Sequence, residues 1–277
     1  MAIKKRSAII SVLANLIAPP FGHIYVGSPL RGLAIIAIGF GALLLFGWFG
    51  ASSALWSFYL VQAFYLIVVI TLSIDGAILA RQRKSYELKL YNKWYVYIPF
   101  VLVILFLLGI FMAQRGKIVG FDNHRNVSMN MAPSLETGDF IATDTRDYIF
   151  GAIPERKEII TFLYPKDPSI VYVKRVLGLP GEKISIKNGV VHINSTPIVE
   201  PYVSISSKAK NFSQNMPEVE IPNNHIFVLG DNRDHSNDSR FWGTLSVENI
   251  TGKVTLIWYA KDINRIKEFS NNHEKRI

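Results

Sequence analysis

The sequence contains no cysteine, so disulfide bonds are excluded as a source of stability, and the globular part must be held together by packing. It contains no internal repeat. It also lacks a cluster of cysteine and histidine residues at the spacing of metal ligands. The residues alone therefore give no reason to expect a bound metal ion.

A basic charge is present without the pattern of a nucleic-acid-binding protein. The chain has 30 basic and 21 acidic residues, a formal charge of +9. A nucleic-acid site would combine basic and aromatic residues in one groove, whereas here the basic residues are spread along the chain. We expect no nucleic-acid partner. The charge favours a protein next to an anionic lipid bilayer.

The N-terminus lacks the small-residue cleavage site of a removable signal. Lys4-Lys5-Arg6 precedes an apolar stretch, Ala8 to Ile24, that is interrupted by Pro19-Pro20 and Gly22. We therefore predict an anchor that stays on the protein. Because a broken helix at membrane depth needs cover for its freed backbone, the stretch is expected to form a short re-entrant or interfacial hairpin.

Three long apolar runs follow, each close to the roughly 20 residues that cross a bilayer. They predict a membrane domain over residues 1–112, with spans at Gly32–Phe49, Ala54–Ile74 and Trp94–Met112. A buried core helix is the alternative for any one of them. Asp75, at the inner end of the second span, is expected to be an interfacial residue and not a proton relay.

Positive charges predict the orientation of these spans. Short loops rich in lysine and arginine stay cytoplasmic. The loop between the second and third spans carries Arg81, Arg83, Lys84, Lys89 and Lys93. We therefore predict a multi-pass protein of the inner (cytoplasmic) membrane, with everything after Met112 on the extracytoplasmic (periplasmic) side.

Residues 113–277 are predicted to form a mainly β domain. The predicted fold class is therefore mixed, with N-terminal transmembrane α-helices before a β-rich extracytoplasmic domain. The polar segment Glu200–Ile221 predicts a long loop or flap, and the charged tail Lys261–Ile277 predicts a frayed end. Period-two alternation and turn residues predict seven strands. These are Phe140–Thr143, Glu158–Leu163, Ile170–Leu177, Lys183–Ile186, Val190–Ile193, His225–Leu229 and Gly252–Trp258.

The densest polar segment is GDNRDHSNDSRFWG, Gly230 to Gly243. If partly buried, its three aspartates, two arginines and two serines would form a paired network of the kind found around active sites. A polar turn with local hydrogen bonds is the alternative.

A second segment, Val171 to Gly189, carries a candidate general base. Strand periodicity places Lys174 and Arg175 on opposite faces, so one of the two can point inward. A lysine on the inward face loses hydration, which lowers its pKa and lets it act as a base without histidine. An edge-strand lysine that prevents aggregation is the alternative.

A third segment, Asn126 to Asp144, alternates Ser128 and Asn130 with Met129 and Met131 before a corner at Pro133. As a strand, it would place Ser128 and Asn130 on one face. The alternative is a methionine-lined strand followed by a turn, with no catalytic role.

Taken in the order of the chain, the three segments resemble the sequence boxes of the type I signal peptidases, the Ser/Lys membrane proteases of family S26. The resemblance covers most of the chain after residue 118. It implies removal of signal peptides from secretory preproteins after small residues (the Ala-x-Ala type), with no cofactor. It implies that Lys174 is the general base, that the Ser236 hydroxyl orients it, and that Ser128 helps to form the oxyanion hole. Further implied positions are the site-supporting Asp231, Arg233, Asp238 and Arg240 and the substrate-binding Met129, Met131 and Pro133.

One position departs from that pattern. The nucleophile should directly precede Met131-Ala132-Pro133, and Asn130 stands there. A carboxamide cannot form the acyl-enzyme of serine chemistry. Three hypotheses follow. The protein is an inactive homologue that binds or scaffolds secreted proteins, or Ser128 is the nucleophile, about 7 Å further along the strand. In the third, the catalytic chemistry uses another group that the sequence does not reveal. Natural substrates and oligomeric state stay open.

Overall fold

The computed structural model describes residues 5–49, 54–83, 87, 89 and 92–269. The chain divides into two compact units. The first comprises Met1–Ala51 and Trp56–Val119, and the second comprises Ser52–Leu55 and Gly120–Ile277. The predicted domain boundary after Met112 falls inside a helix that continues to Val119.

The first unit is helical. The first helix starts at Ser7, whose Oγ accepts the Ile10 N–H, and ends at Ala18, before two prolines that have no N–H to continue it. The helices are α1 (Ala8–Ile17), α2 (Phe21–Tyr25), α3 (Pro29–Trp48), α4 (Leu55–Gln82) and α5 (Trp94–Val119).

Two of the described helices are long and apolar enough to cross a membrane, by length and composition alone. They are α3, with mean hydropathy 2.1, and α4, with mean hydropathy 2.2. They contain the first predicted span up to Trp48 and the second from Leu55 onward. The third predicted span lies in α5, whose apolar part is Tyr97–Phe111, and it stays a prediction.

Polar side chains join the helices of this unit. The Asn15 carboxamide donates to Leu72 O (2.8 Å) and accepts the Gly22 N–H (2.8 Å). His23 Nε2 lies 3.0 Å from an Asp75 carboxylate oxygen, and Arg31 pairs with the other oxygen. Asp75 thus ties α4 to α2 and α3. The segment predicted as a membrane hairpin is folded as α1 and α2, and its depth in a bilayer stays a prediction.

The second unit contains two antiparallel sheets. The larger has the strand order β1-β2-β11-β3-β4-β9-β10, with β12 paired to β11, and the smaller has the order β7-β6-β5-β8. Short helices α6 (Arg146–Ile149), α7 (Asn211–Gln214) and α8 (Ser239–Trp242) lie between strands. The strands are β1 (Phe121–Arg125), β2 (Phe140–Asp144), β3 (Ile159–Tyr164), β4 (Asp167–Gly178), β5 (Lys183–Lys187), β6 (Val190–Ile193), β7 (Thr196–Pro197), β8 (Met216–Glu220), β9 (His225–Leu229), β10 (Leu245–Ser246), β11 (Ile250–Tyr259) and β12 (Lys267–Glu268).

The mixed fold class is confirmed, and all seven predicted strands are present with small changes at their ends. Two predictions are wrong. The supposed loop Glu200–Ile221 contains α7 and β8. Strand β8 forms because Met216 and Val219 pack on the core of the smaller sheet, while the other residues of the strand stay exposed. Residues 261–269 of the supposed frayed tail are ordered, since β12 pairs with β11. Residues 270–277 lie outside the described part.

Both faces of the larger sheet are covered by apolar clusters. One contains Ile160, Phe162, Val176 and Val228, with Tyr172 packed against it. The other contains residues of β2, β3 and β11 together with Met131 and Leu135, and Val173 packs against it. Central strand β4 is therefore buried on both faces along its second half.

Candidate active site

The segment with Ser128 and Asn130 is a turn, and the prediction of a strand there is wrong. The Ala132 N–H donates to Met129 O (3.1 Å) and the Leu135 N–H donates to Met131 O (2.9 Å). The turn places Met131 and Leu135 in the core, where both are completely buried, while Met129 and Pro133 are exposed. Alternation of faces along an extended strand therefore does not apply to this segment.

The turn brings Ser128 and Asn130 closer than an extended strand would. Ser128 Oγ accepts the Asn130 backbone N–H at 3.2 Å, and both residues are half-buried. Of the positions expected to bind substrate, Met129 and Pro133 are exposed, whereas Met131 is 0% exposed. Met131 has a packing role in this structure and offers no surface to a substrate.

Lys174 and Arg175 are both buried. The sequence predicts that one of the two can point inward, whereas in the structure both do, on opposite faces of the strand. They lie on opposite faces of β4, and each face is covered by an apolar cluster. Lys174 shares a face with Tyr172 and Val176, and it is 0% exposed. Arg175 faces the other side and is 8% exposed.

Burial lowers the pKa of Lys174 to about 8, because a charged amine is poorly solvated there. The carboxylates of Asp238 and Asp231 oppose this shift and Arg240 adds to it. The amine donates to Val173 O at 3.1 Å and lies 5.1 Å from the centre of the Tyr172 ring. A substantial fraction of this lysine is therefore neutral near physiological pH, as a general base requires.

Gly230 connects this lysine with the other segments. Strand β4 pairs with β9 with Arg175 opposite Leu229, so continuing the register by one residue places Gly230 opposite Lys174. Opposite residues of an antiparallel pair point to the same face, with Cβ atoms about 5 Å apart. A Cβ on Gly230 would lie 2.2 Å from Ser236 Oγ and 2.5 Å from Asn130 O. Ser236 and the backbone of Asn130 thus fill the space beside Lys174.

Two buried polar atoms at this place have no hydrogen-bond partner among the described residues. They are Ser236 Oγ and Asn130 Oδ1. Such atoms are costly to bury and are few in native structures. The hydrogen bond expected between Ser236 and Lys174 is not formed here, since the lysine donates to Val173 O.

The segment after Gly230 is a buried network, as its composition indicated. An Asp238 oxygen accepts the Gly230 N–H at 3.0 Å, and the same carboxylate pairs with Arg240. Arg240 in turn donates to Arg233 O. Asp238 is 0% exposed, so the pair fixes the backbone from Gly230 to Arg240 in one conformation.

Asp231 and Arg233, two more charged residues of this segment, pair with side chains outside the segment. Arg175 donates to both Asp231 oxygens, at 2.8 and 2.6 Å, and to Ser134 Oγ at 3.1 Å. Arg233 pairs with Glu200, and both side chains are buried. Strand alternation identifies Arg175 as one of the two residues that can point inward, but it does not identify Asp231 as its partner. No local signal marks Glu200, because it lies 33 positions from its partner.

A fifth residue, Asp234, holds the segment before α7. Its carboxylate accepts the backbone N–H groups of Ala209 (2.8 Å) and Lys210 (3.1 Å). Burial opposes ionisation of this carboxyl, but a hydrogen bond with the Ser213 side chain and these two backbone bonds outweigh it, so the pKa of Asp234 is lowered. The polar stretch after Glu200 is thereby attached to the candidate site.

The sequence model of the family described as "Signal peptidase, peptidase S26" matches residues 91–259. The chain is 34% identical to "Probable signal peptidase I-1" of Synechocystis sp. over 165 residues, which are 57% of this chain and 77% of that protein. It is 30% identical to "Signal peptidase IB" of Staphylococcus aureus over 193 residues, 65% of this chain and 93% of that protein.

Among solved structures, a crystal structure of a signal peptidase I from Enterococcus faecalis matches with a TM-score of 0.34 and 30% identity, covering 37% of this chain and 97% of that one. The family match extends over more than half of the chain and includes all three polar segments. The chain therefore belongs to the signal peptidases of peptidase family S26.

Proposed function

We propose that this protein is a membrane-bound endopeptidase that removes signal peptides from secretory preproteins after small residues, with Lys174 as general base. The observation that carries the proposal is the buried lysine amine, with its pKa lowered to about 8, facing the space filled by Ser236 and Asn130. An inactive scaffold would gain nothing from a completely buried lysine. Strongly shifted pKa values are typical of catalytic groups.

We propose Ser128 as the nucleophile. Three serines lie around the site, and a nucleophile must be reachable by a substrate carbonyl. Ser236 is 5% exposed, and Ser134 is 9% exposed and accepts from Arg175. Ser128 is half-buried, and it lies on the turn beside Asn130. Of these three hydroxyls it is the most accessible.

The reaction follows from these assignments. Neutral Lys174 takes the proton of a serine hydroxyl, and the oxygen attacks the carbonyl carbon of the scissile bond. The protonated amine then returns the proton to the leaving nitrogen, and the signal peptide stays bound as an ester. A water molecule, deprotonated by the same lysine, hydrolyses the ester and restores the serine. Backbone N–H groups that bind the oxyanion are each worth about 3 kcal/mol in such sites.

The second candidate is an inactive homologue that binds or scaffolds secreted proteins. Asn130 favours it, because this residue stands where the family resemblance places the nucleophile. Its buried Oδ1 has no partner in the described part of the chain. The scaffold and the charged network would survive the loss of a nucleophile, since neither depends on a hydroxyl at position 130.

Cleavage by the purified full-length chain in detergent separates these possibilities. The substrate is a preprotein with an Ala-x-Ala site, and the variants are Ser128→Ala, Lys174→Met and Asn130→Ser. Ser169→Ala, on the exposed part of β4, is the matched serine control. If Ser128 is the nucleophile, Ser128→Ala and Lys174→Met abolish cleavage while Ser169→Ala does not.

The inactive homologue predicts another result. The wild type then does not cleave, and Asn130→Ser gains activity. Equal cleavage by the wild type and Lys174→Met would contradict the lysine-base mechanism altogether.

We further propose that residues 1–112 anchor the chain as a multi-pass membrane domain, with the β-rich unit on the extracytoplasmic side. The support is the basic loop between α4 and α5, of which Lys84 lies outside the described residues. Since the chain has no cysteine, single cysteines are clean probes. A membrane-impermeant maleimide added to intact spheroplasts should label Lys166→Cys and not Lys93→Cys. The reverse pattern would invert the topology.

A further inference from the structure

A tight turn at residues 200–203 carries two side chains that reach the candidate active site from outside its three polar segments. The Val203 N–H donates to Glu200 O at 3.2 Å and closes the turn, and Pro201 at its second position favours that conformation. Tyr202 packs against the core of the smaller sheet, and its hydroxyl donates to a Glu200 carboxylate oxygen at 3.1 Å. The turn is therefore held against that sheet, with its two polar groups joined to each other.

The first of these side chains, Glu200, acts on Gly230 through Arg233. Arg233 donates from Nη2 to the Glu200 carboxylate and from Nε to Gly230 O, the latter at 3.0 Å. Its third nitrogen, Nη1, has no hydrogen-bond partner in the described part of the chain. Both charged side chains are almost completely buried, so water cannot take the place of the carboxylate. The position of the Gly230 carbonyl therefore depends on Glu200.

The second side chain, Tyr202, reaches the next residue, Asp231, through Arg175. The guanidinium carbon of Arg175 lies 3.9 Å from the centre of the Tyr202 ring, within the range of a cation–π contact. Arg175 in turn donates to both oxygens of Asp231. Burial and the Glu200 carboxylate raise the pKa of Tyr202, so its hydroxyl stays protonated and able to donate. One turn thus holds residues 230 and 231, each through an arginine.

The same stretch of backbone also holds the turn that carries Ser128. The Asn232 N–H donates to Asn130 O at 3.1 Å, and the Asn232 carboxamide donates to Met129 O at 3.2 Å. Gly230 lies opposite Lys174 in the continued register of β4 and β9. A shift of residues 230–232 would therefore change the distance between the lysine and the turn with Ser128.

We infer that Glu200 and Tyr202 are positioning residues, which keep residues 230–232 where the lysine and the serine can react; this rests on the proposed function. A buried ion pair adds little net stability compared with well-packed apolar residues, so stability alone does not explain the buried Glu200. Catalytic groups that are misplaced by 1 Å can lose roughly 100-fold in rate. A positioning role accounts for a buried carboxylate at this place.

Preprotein cleavage and amide hydrogen exchange of the full-length chain in detergent test the inference. Glu200→Gln keeps the size of the side chain and removes its charge. Tyr202→Phe removes only the hydroxyl and keeps the ring against Arg175, so it is the milder variant if Glu200→Gln does not fold. Melting temperatures of all variants verify their fold.

The chain offers a matched pair of controls in the same unit. Glu158 also pairs with a basic residue, Lys253, and also accepts a tyrosine hydroxyl, that of Tyr148, at 2.9 Å. Glu158→Gln and Tyr148→Phe therefore remove the same chemical groups from an ion pair that makes no contact with residues 230–232 among the described hydrogen bonds.

Glu200→Gln should lower kcat roughly 100-fold and leave KM unchanged, because misplaced groups slow the chemical step without removing a contact to the substrate. Tyr202→Phe should lower kcat in the same way but by less. In both variants the N–H groups of Gly230 and Asn232 should exchange faster, since the backbone that carries them opens more readily. Neither effect should appear in Glu158→Gln or Tyr148→Phe.

Unchanged exchange at Gly230 and Asn232 in both variants overturns the inference, whatever the activity. Faster exchange with an unchanged kcat also overturns it, and so does an equal loss of kcat in the two controls, which would show a general effect of stability. A wild type that does not cleave refutes the proposed function instead, and the exchange rates then decide by themselves whether the turn holds residues 230–232.

Discussion

Gly230 lies opposite Lys174 when the register of β4 and β9 is continued by one residue, and the volume that a side chain at position 230 would fill holds Ser236 Oγ and the Asn130 carbonyl oxygen. The absence of a side chain at one position is thus what lets three distant segments meet at the lysine. Asp238 fixes that glycine through its N–H.

Gly230→Ala should destabilise the second unit and disrupt the site. The added methyl would lie 2.5 Å from a backbone oxygen and 2.2 Å from Ser236 Oγ. Overpacking of this kind costs about 1–3 kcal/mol. Thermal unfolding and preprotein cleavage are the measurements. Gly41→Ala, where an added Cβ meets nothing within 4 Å, is the control, and equal melting temperatures of the two variants would contradict the predicted crowding.

Replacing the buried lysine should stabilise the fold while removing activity. The pKa of Lys174 falls from 10.5 to about 8 on folding. Between these pH values the unfolded chain holds a proton that the folded chain has lost, so the free energy of unfolding rises with pH across that window. Below pH 8 the cost is complete, at roughly 3 kcal/mol for a shift of this size.

Lys174→Met avoids that cost, and it should therefore be more stable than the wild type at pH 7, with the difference shrinking toward pH 10. Denaturant unfolding at both pH values measures the effect. If the difference in free energy of unfolding between Lys174→Met and the wild type does not change with pH, folding does not lower the pKa of Lys174.

Catalysis should depend on the same titration. Only the neutral amine accepts a proton, so the cleavage rate should rise about tenfold per pH unit below the pKa of Lys174 and level off above about 8. The measurement is kcat/KM against pH with a peptide substrate that has no titrating groups in this range. A profile that is flat from pH 6 to 9 would exclude this lysine as the base.

The buried ion pairs should matter far more than exposed ones. Asp231→Asn leaves the Arg175 guanidinium without its carboxylate in a buried place, where a broken pair costs about 3–5 kcal/mol. Glu218→Gln removes one partner of an exposed pair, Lys183 and Glu218, whose atoms are 3.9 Å apart. That loss should be below about 1 kcal/mol. Chemical denaturation compares the two variants, and similar losses would refute the difference in burial.

Asp234→Ala should loosen the segment before α7. It removes the acceptor of two backbone N–H groups, those of Ala209 and Lys210. Unsatisfied donors cost about 1–3 kcal/mol each when buried and less at this partly exposed place. Limited trypsin digestion at Lys208 and Lys210 is the measurement. Asp262→Ala, which removes the acceptor of a bond in an exposed turn, should leave cleavage at these sites unchanged.

Much of the fold could be predicted locally. The strands of the second unit follow alternation of apolar and polar residues, and α3 and α4 follow from uninterrupted apolar runs. β8 was missed because it is an edge strand that buries only Met216 and Val219. At Ser128 the alternating methionines imitate a strand, although the chain forms a turn there. Only packing reveals that Met131 is buried while Met129 is 62% exposed.

The sequence by itself determined the polar segments, the strand that carries Lys174 and the family to which the chain belongs, because each is written in consecutive residues. Tertiary structure alone decided that Lys174 and Arg175 are both buried, that Arg233 pairs with Glu200, and that Gly230 makes room for Ser236 and Asn130. The physical reason is that burial, pairing and excluded volume depend on which distant segments pack together, and local periodicity carries no information about such contacts.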